Sequence, residues 1–172
     1  GVSLRSGEVA HRMNPQEGLY TVTERSGEGA ATRIVGAVRD VLVAPQEPEE
    51  VVAAVTAPAT RIVGLTVTEK GYCRAPDGSL DSDQADEESV YQFLAAGLRR
   101  RCDGGLPGLT LLSCDNLADN GNQLEHLMGE YIDRHDPDLI GWFERECTCP
   151  STMVDRIVPA TTAEDRAEVA EI

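Results

Sequence analysis

The chain has 172 residues, of which 41% are hydrophobic and only 4% aromatic, and its formal net charge is −15. This length allows one domain with a sizeable core, built mainly from aliphatic side chains. So acidic a surface argues against nucleic acid or an anionic membrane as a partner. No apolar run approaches the ~20 residues that a transmembrane helix needs. The five cysteines show no spacing typical of a small disulfide-bonded domain, which favours a reduced, cytoplasmic protein.

The first quarter of the chain predicts a short strand, a helix and a hairpin. Gly1–Leu4 is typical of the tail of a strand whose beginning is missing, so we expect a truncated chain. A helix is predicted at about 7–14. Two β-rich runs, 18–25 and 32–43, flank the turn sequence Ser-Gly-Glu-Gly at 26–29, which favours a β-hairpin.

The middle of the chain predicts helices alternating with strands. Pro48 and two glutamates begin a helix that ends near Pro58. A strand follows at 61–68, then an Asp-rich loop at 73–87 and a helix at 87–101. Arg99, Arg100 and Arg101 fall at the C-terminus of that helix, where cations complement the helix dipole.

The last part continues the alternation. We predict a strand at 109–114, helices at 122–135 and 138–146, and a strand at 148–157. Thr161 to Glu164 then resemble a capping signal for a further helix. Strands that alternate with helices predict an α/β fold with a mostly parallel sheet, and the polar residues at the strand ends predict a site at the carboxyl edge.

Three strand-end residues are candidates for chemistry. The Asn116 amide can donate to a developing oxyanion, Asp155 can accept from substrate hydroxyls, and Lys70, the only lysine, can meet a cofactor phosphate or ribose. In the alternative interpretation, Asp115 and Asn116 cap the following helix and Asp155 pairs with an arginine. The residues alone leave both interpretations open.

Other motifs point away from common sites. No glycine-rich dinucleotide fingerprint follows the first strand, and no phosphate-binding loop with its lysine is present. Cys147 and Cys149 lack a matching pair of ligands, so core packing is favoured over zinc. His126 and His135 are predicted to be surface or capping residues. The Asp-rich loop lacks the glycine and terminal glutamate of a calcium loop, so no metal is predicted.

Three segments, 66–72, 113–121 and 153–159, resemble the mannitol dehydrogenase family of polyol-specific long-chain dehydrogenases. They read Thr-Val-Thr-Glu-Lys-Gly-Tyr, Ser-Cys-Asp-Asn followed by Asn120-Gly121, and Met-Val-Asp-Arg-Ile-Val-Pro. The resemblance covers essentially the whole chain, but the chain covers only part of the family's length.

The resemblance implies that residues 1–172 form a single, truncated NAD-binding domain. Its fold class is α/β, a partial Rossmann-type, doubly wound and mostly parallel sheet with a β-hairpin insertion. The family's glycine-rich pyrophosphate motif would precede Gly1, and its helical substrate domain, with the general-base lysine, would follow Ile172. Lys70 does not match that lysine. We therefore expect the isolated chain to be inactive and to self-associate through an exposed sheet edge.

The resemblance also implies a function and site residues. The function is NAD-dependent interconversion of a sugar alcohol or aldonate with its ketose, the alternative being an inactive binding or regulatory module that kept the fold. Asn116 matches an oxyanion-hole asparagine, and Val154 and Asp155 match residues that line the substrate pocket. Thr68, Glu69 and Lys70 lie in the loop that faces the cofactor. The choice between NAD and NADP, and the identity of the polyol, stay open.

Overall fold

The computed structural model describes residues 1–27, 29–86, 89–154 and 161–170. The chain divides into two compact units. The first contains residues 1–44 together with the C-terminal residues 161–170, and the second contains residues 45–154. Among the described residues, no helix is long and apolar enough to cross a membrane.

The first unit pairs two short strands and carries a hairpin. Its elements are β1 (Val2–Ser3), α1 (Glu8–Met13), a 3₁₀ turn (Asn14–Gln16), β2 (Tyr20–Ser26), β3 (Gly29–Val35), β4 (Leu42–Val43) and α8 (Ala163–Ala170). β1 and β4 are parallel, with Val2 opposite Leu42. Ala10, Val41 and Val43 form a small buried cluster beneath this pair.

The predicted hairpin is present, but its second strand is shorter than expected. β2 and β3 are antiparallel, from Ser26 opposite Gly29 at the turn to Tyr20 opposite Val35 at the open end. The prediction of one β-rich run over 32–43 was wrong beyond Val35. The ladder stops there because β2 begins at Tyr20 and supplies no further partner, and the chain resumes as a strand only at Leu42.

A capping box begins α8, as the Thr-rich segment predicted, although with different residues. The Thr162 backbone N–H donates to Asp165 Oδ2 at 2.7 Å, and the Asp165 N–H donates to Thr162 Oγ1 at 3.1 Å. These bonds and the Arg25 guanidinium, 2.8 Å from Asp165 Oδ1, hold the pKa of Asp165 at about 2. Thr162 and Asp165 therefore form the cap that was expected of Thr161 and Glu164.

The second unit alternates helices with strands. Its elements are α2 (Pro48–Thr56), β5 (Ile62–Leu65), α3 (Thr68–Gly71), α4 (Ser82–Ala85), α5 (Val90–Asp103), β6 (Thr110–Ser113), α6 (Asn120–His135) and α7 (Pro137–Glu146). The long helices α5, α6 and α7 follow the prediction to within a few residues. The Asp-rich segment is more ordered than a loop, because it contains α4 and a bridge between Arg74 and Leu80.

The predicted parallel pairing is confirmed for the first two strands of this unit. β5 and β6 are parallel, with Ile62 opposite Thr110 and Leu65 opposite Ser113. A single parallel bridge joins Thr110 to Thr148.

The strand predicted at 148–157 was wrong within the described residues 148–154, because only Thr148 pairs. Pro150 has no N–H to donate to a ladder. The Thr152 N–H donates to the side chain of Asn120 instead of to a strand. Residues 155–157 lie outside the described part of the chain.

Helix α5 is anchored by tight packing and by a buried arginine. A side chain at Gly97 would collide with Val55 of α2, so the glycine permits close approach of the two helices. Arg101 is fully buried, and its Nη1 donates to the carbonyl oxygens of Val55, Thr56 and Ala57. Arg100 and Arg101 lie in the last turn of α5, but Arg101 satisfies the C-terminal carbonyls of α2.

Candidate functional site

The chain leaves β5 through a strained turn. Thr68, the first residue of α3, has a φ of 64°, in the left-handed region. A β-branched residue rarely adopts this conformation, which costs on the order of 1–3 kcal/mol and persists only where the surroundings enforce it. The side chains of Thr68, Glu69 and Lys70 are exposed beyond the carboxyl end of the strand.

The carboxylate of Asp115 binds this turn. Asp115 follows β6, and its Oδ2 accepts from the Val67 N–H at 3.0 Å while its Oδ1 accepts from the Thr68 N–H at 3.1 Å. Its side chain therefore joins the loop after β6 to the turn after β5. The alternative interpretation, in which Asp115 caps the following helix, does not hold for this residue, because its carboxylate accepts from the Val67 and Thr68 amides across the sheet edge. Asp119 precedes α6 and makes no side-chain cap bond there.

Tyr72 and Ser113 complete the network around Asp115. The Tyr72 hydroxyl lies 3.0 Å from Asp115 Oδ2 and 2.5 Å from Ser113 Oγ, and both Tyr72 and Ser113 are buried. The Asp115 N–H donates to Ser113 Oγ at 3.4 Å. Burial raises the pKa of Tyr72 to about 12; the bond to Ser113 opposes that rise and the bond to Asp115 adds to it. Tyr72 therefore keeps its proton at neutral pH and donates it in the hydrogen bond to Asp115 Oδ2.

Asn120, at the start of α6, ties a third loop to the same edge. Its Nδ2 donates to the Asp115 carbonyl oxygen at 3.1 Å and to Thr152 Oγ1 at 2.9 Å. The Thr152 hydroxyl donates to the Ser113 carbonyl oxygen at 2.7 Å. The adjacent Gly121 N–H donates to Ser151 Oγ at 3.2 Å, and a side chain at Gly121 would collide with the backbone of residues 149–151.

These bonds bring the regions of the predicted site residues together within the second unit. Asn116 follows Asp115 and is exposed. Its side chain makes no hydrogen bond to another described residue. Val154 is half-buried two residues after Thr152. Lys70 is exposed and makes no ion pair within the described part of the chain. Asp155, the predicted substrate-binding carboxylate, lies outside the described residues.

The residues of the network were missed as functional candidates, although a signal for them existed. Tyr72 belongs to one of the segments that carry the family resemblance, and Asp115, Asn120 and Gly121 belong to another. Our prediction selected the residues expected to touch ligands and ignored those that hold the loops. The available signal was a polar residue adjacent to a predicted site residue, as Asp115 is to Asn116.

The cysteine and histidine side chains that were considered as metal ligands lie in the core and on the surface, respectively. Cys147 and Cys149 are both buried. Burial raises the pKa of both thiols, that of Cys149 to about 12. The described residues contain no group of three or more His, Cys, Asp or Glu side chains placed to hold a metal ion. His126 lies 3.3 Å from Glu130 on the exposed side of α6.

The arrangement defines an α/β domain with parallel strands and exposed polar side chains at their carboxyl edge. The family described as the mannitol dehydrogenase Rossmann domain matches residues 1–171. The chain belongs to this family, and its fold is the Rossmann type.

Three known proteins illustrate the similarity. Mannitol 2-dehydrogenase of Aspergillus fumigatus is 36% identical over 99% of this chain and 37% of its own length. Polyol:NADP oxidoreductase of Gluconobacter oxydans is 38% identical over 94% of this chain and 36% of its own length. The structure of Pseudomonas fluorescens mannitol 2-dehydrogenase in a ternary complex with NAD and D-mannitol has a TM-score of 0.85 and 30% identity, covering 99% of this chain and 38% of that one.

The chain thus spans less than two-fifths of the length of these curated relatives. The relatives are oxidoreductases, and the matched part is their Rossmann domain.

Proposed function

We propose that this chain is the cofactor-binding part of an NAD-dependent oxidoreductase that interconverts a polyol or aldonate with its ketose. One observation carries the proposal: in a member of this family, Asp115 binds the exposed Thr68 turn and is followed directly by the exposed Asn116, at the carboxyl ends of two parallel strands. Open α/β sheets bind ligands at this edge. The inactive-module alternative has no observation in its favour.

The exposed groups at the edge have the chemistry that a dinucleotide requires. The Thr68 hydroxyl and the Glu69 carboxylate can hydrogen-bond ribose hydroxyls, and the Lys70 ammonium can pair with a phosphate. NAD, when bound, supplies or accepts hydride at its nicotinamide ring. NADP, named for the Gluconobacter relative, is the alternative cofactor.

The substrate side of the proposal uses Asn116, Val154 and Asp155. In ketose reduction, negative charge develops on the carbonyl oxygen as hydride reaches its carbon. The Asn116 amide donates a hydrogen bond to that oxygen and stabilises the charge. Val154 lines the pocket, and Asp155 accepts hydrogen bonds from substrate hydroxyls. These two residues orient the reacting carbon, and such positioning is most of what the protein adds to the cofactor's chemistry.

The full-length protein that carries this segment tests the proposal. Ketose reduction and polyol oxidation are followed by the absorbance of the reduced cofactor, with NAD and NADP in parallel. The panel contains mannitol, sorbitol, fructose and fructuronate. Turnover with at least one polyol–ketose pair is the expected result. Nicotinamide binding without turnover of any member of the panel would support the inactive-module alternative.

The role of Asn116 has its own test. Asn116→Ala removes one oxyanion donor, so we expect kcat for ketose reduction to fall by roughly 100- to 1000-fold with NADH affinity nearly unchanged. Asn122→Ala is the matched control, because Asn122 is exposed on α6 and its side-chain amide hydrogen-bonds only to Asp119 among the described residues. Unaltered turnover in Asn116→Ala would show that the oxyanion assignment is wrong.

A further inference from the structure

Asp115 uses its carboxylate entirely within the protein. Both oxygens accept hydrogen bonds, from the successive backbone amides of Val67 and Thr68 and from the Tyr72 hydroxyl. The two amides lie 48 and 47 residues earlier in the chain, so the bonds connect separate loops. An ionised carboxylate is an acceptor only, and all three partners are donors. The carboxylate therefore holds the chain immediately after β5 to the chain immediately after β6.

The conformation of Thr68 shows what this contact enforces. Its φ of 64° is unfavourable for a β-branched residue, so the turn would relax if nothing held it. Asp115 Oδ1 binds the amide of this same residue. The strained turn carries Thr68, Glu69 and Lys70, the residues that face the cofactor in the proposed function.

The position of Asp115 is itself fixed by two buried hydroxyls. Tyr72 donates to the Asp115 carboxylate, so its oxygen is left to accept from the Ser113 hydroxyl at 2.5 Å. Ser113 Oγ accepts from the Asp115 N–H. Tyr72 and Ser113 are only 1% and 0% exposed, so water does not compete for these bonds. Asp115 is thus held through both its side chain and its backbone, and the next residue is Asn116.

We propose that Asp115 is a positioning residue of the reaction, which sets the distance between the oxyanion donor Asn116 and the cofactor-facing Thr68 turn. The inference rests on the proposed function. It predicts that loss of the Asp115 carboxylate lowers kcat strongly, while the melting temperature and the Kd of the cofactor change little. Misplacement of reacting groups by about 1 Å can cost on the order of 100-fold in rate.

The test compares Asp115→Asn with Asp136→Asn in the full-length protein. Both changes keep the size of the side chain and replace one carboxylate oxygen by an NH₂ group. Asp136 makes a two-bond pair with Arg99, at 2.6 and 2.5 Å, and follows the C-terminal end of α6. Asp115 precedes the other end of this helix, whose length is about 24 Å. Asp136→Asn therefore reports the cost of losing a comparable carboxylate away from the sheet edge.

For Asp115→Asn we expect kcat to fall by roughly 10- to 100-fold while the Kd of NADH changes less than about fivefold. Amide exchange in peptides covering residues 66–72 should become roughly tenfold faster, because the Thr68 turn is released. Asp136→Asn should retain the wild-type kcat, although its melting temperature should be similar to that of Asp115→Asn. Tyr72→Phe removes one of the three donors and should lower kcat by roughly two- to tenfold, so it serves as the test if Asp115→Asn does not fold.

Two failures are distinguishable. In the first, the wild-type protein is active and Asp115→Asn folds, but its kcat is within twofold of the wild-type value or falls no more than that of Asp136→Asn. This result overturns the positioning role and leaves the proposed function standing. Wild-type kcat in Tyr72→Phe, where Asp115→Asn does not fold, overturns the role in the same way. If the wild-type protein turns over no polyol or ketose, the proposed function fails and takes the positioning role with it, whatever the exchange data show.

Discussion

Asn120 and Thr152 exchange three hydrogen bonds. Asn120 Nδ2 donates to the carbonyl oxygen and to Oγ1 of Thr152, at 3.2 and 2.9 Å, and Asn120 Oδ1 accepts from the Thr152 N–H at 2.9 Å. Asn120 is almost completely buried. Its amide therefore takes the place of a neighbouring strand for residue 152, and it fixes the loop that leads to Val154.

Asn120→Ala should destabilise the fold by about 1–3 kcal/mol, because the N–H and C=O of Thr152 lose their partners in a part-buried site. Urea denaturation measures the loss. Asn122→Ala, an exposed position in the same helix, should stay within about 0.5 kcal/mol of the wild type. Equal effects of the two variants would contradict a special role for the Asn120 contact.

Arg101→Lys tests the buried cap of α2. Lysine keeps the charge but lacks the planar guanidinium group with its several N–H donors. It therefore cannot replace both the Nη1 bonds to the carbonyls of α2 and the Nε bond to the Pro107 carbonyl oxygen. We expect a loss of about 2–4 kcal/mol in unfolding free energy, the range for a broken buried polar network. Arg100→Lys is the control, since the Arg100–Glu49 pair is exposed and such pairs contribute only about 0–1 kcal/mol. A tolerated Arg101→Lys would show that the charge alone suffices.

The raised pKa of Tyr72 predicts a stability change at alkaline pH. The folded state keeps the Tyr72 proton up to a pKa of about 12, whereas an unfolded tyrosine loses it near 10. The unfolded state therefore binds fewer protons in this window, and stability falls as pH rises from about 10 to about 12. Tyr72→Phe should show a shallower decline than the wild type in urea denaturation at pH 9 to 11.5. Parallel curves would show that Tyr72 titrates normally in the fold.

The outer edge of β5 predicts self-association of the isolated 172-residue chain. β5 pairs with β6 along one edge, and no second ladder on β5 is present among the described residues. Ile62 is 60% exposed on this strand. A lysine on an edge strand opposes strand pairing, so Ile62→Lys should shift sedimentation of the chain toward the monomer. Val9→Lys, at an exposed position of helix α1 and not on a strand, is the control and should leave association unchanged. A compact wild-type monomer at all concentrations would contradict the prediction.

The sequence patterns correctly predicted the elements that depend on neighbouring residues. The turn residues at 26–29 marked the hairpin, and the apolar spacing marked α6 and α7. The end of β6 was predicted to within one residue, but β5 ends at Leu65, before the predicted Thr68, which instead begins α3. Their shared edge follows from the parallel order of strands and helices.

What the patterns did not predict depends on contacts between distant residues. Thr152 would continue an edge strand by composition, but Asn120 takes its backbone N–H. Asp115 has the sequence context of a helix cap, yet its partners are 47 and 48 residues away and one of them has a strained backbone. Arg101 likewise looks like a helix-end cation, and only the packing of α5 on α2 shows which helix it serves. Such choices follow from tertiary proximity and not from local propensity.

The hydrogen bonds of Asp115 also determine which backbone N–H groups at the sheet edge can bind a ligand. The amides of Val67 and Thr68 are occupied by the protein's own carboxylate, so neither is available to a ligand phosphate or hydroxyl. Recognition next to β5 then falls to exposed side chains, which single substitutions can exchange while the backbone path stays the same. Under the proposed function, surface replacements alone could therefore change the preference for cofactor or sugar, while the loop keeps its backbone path.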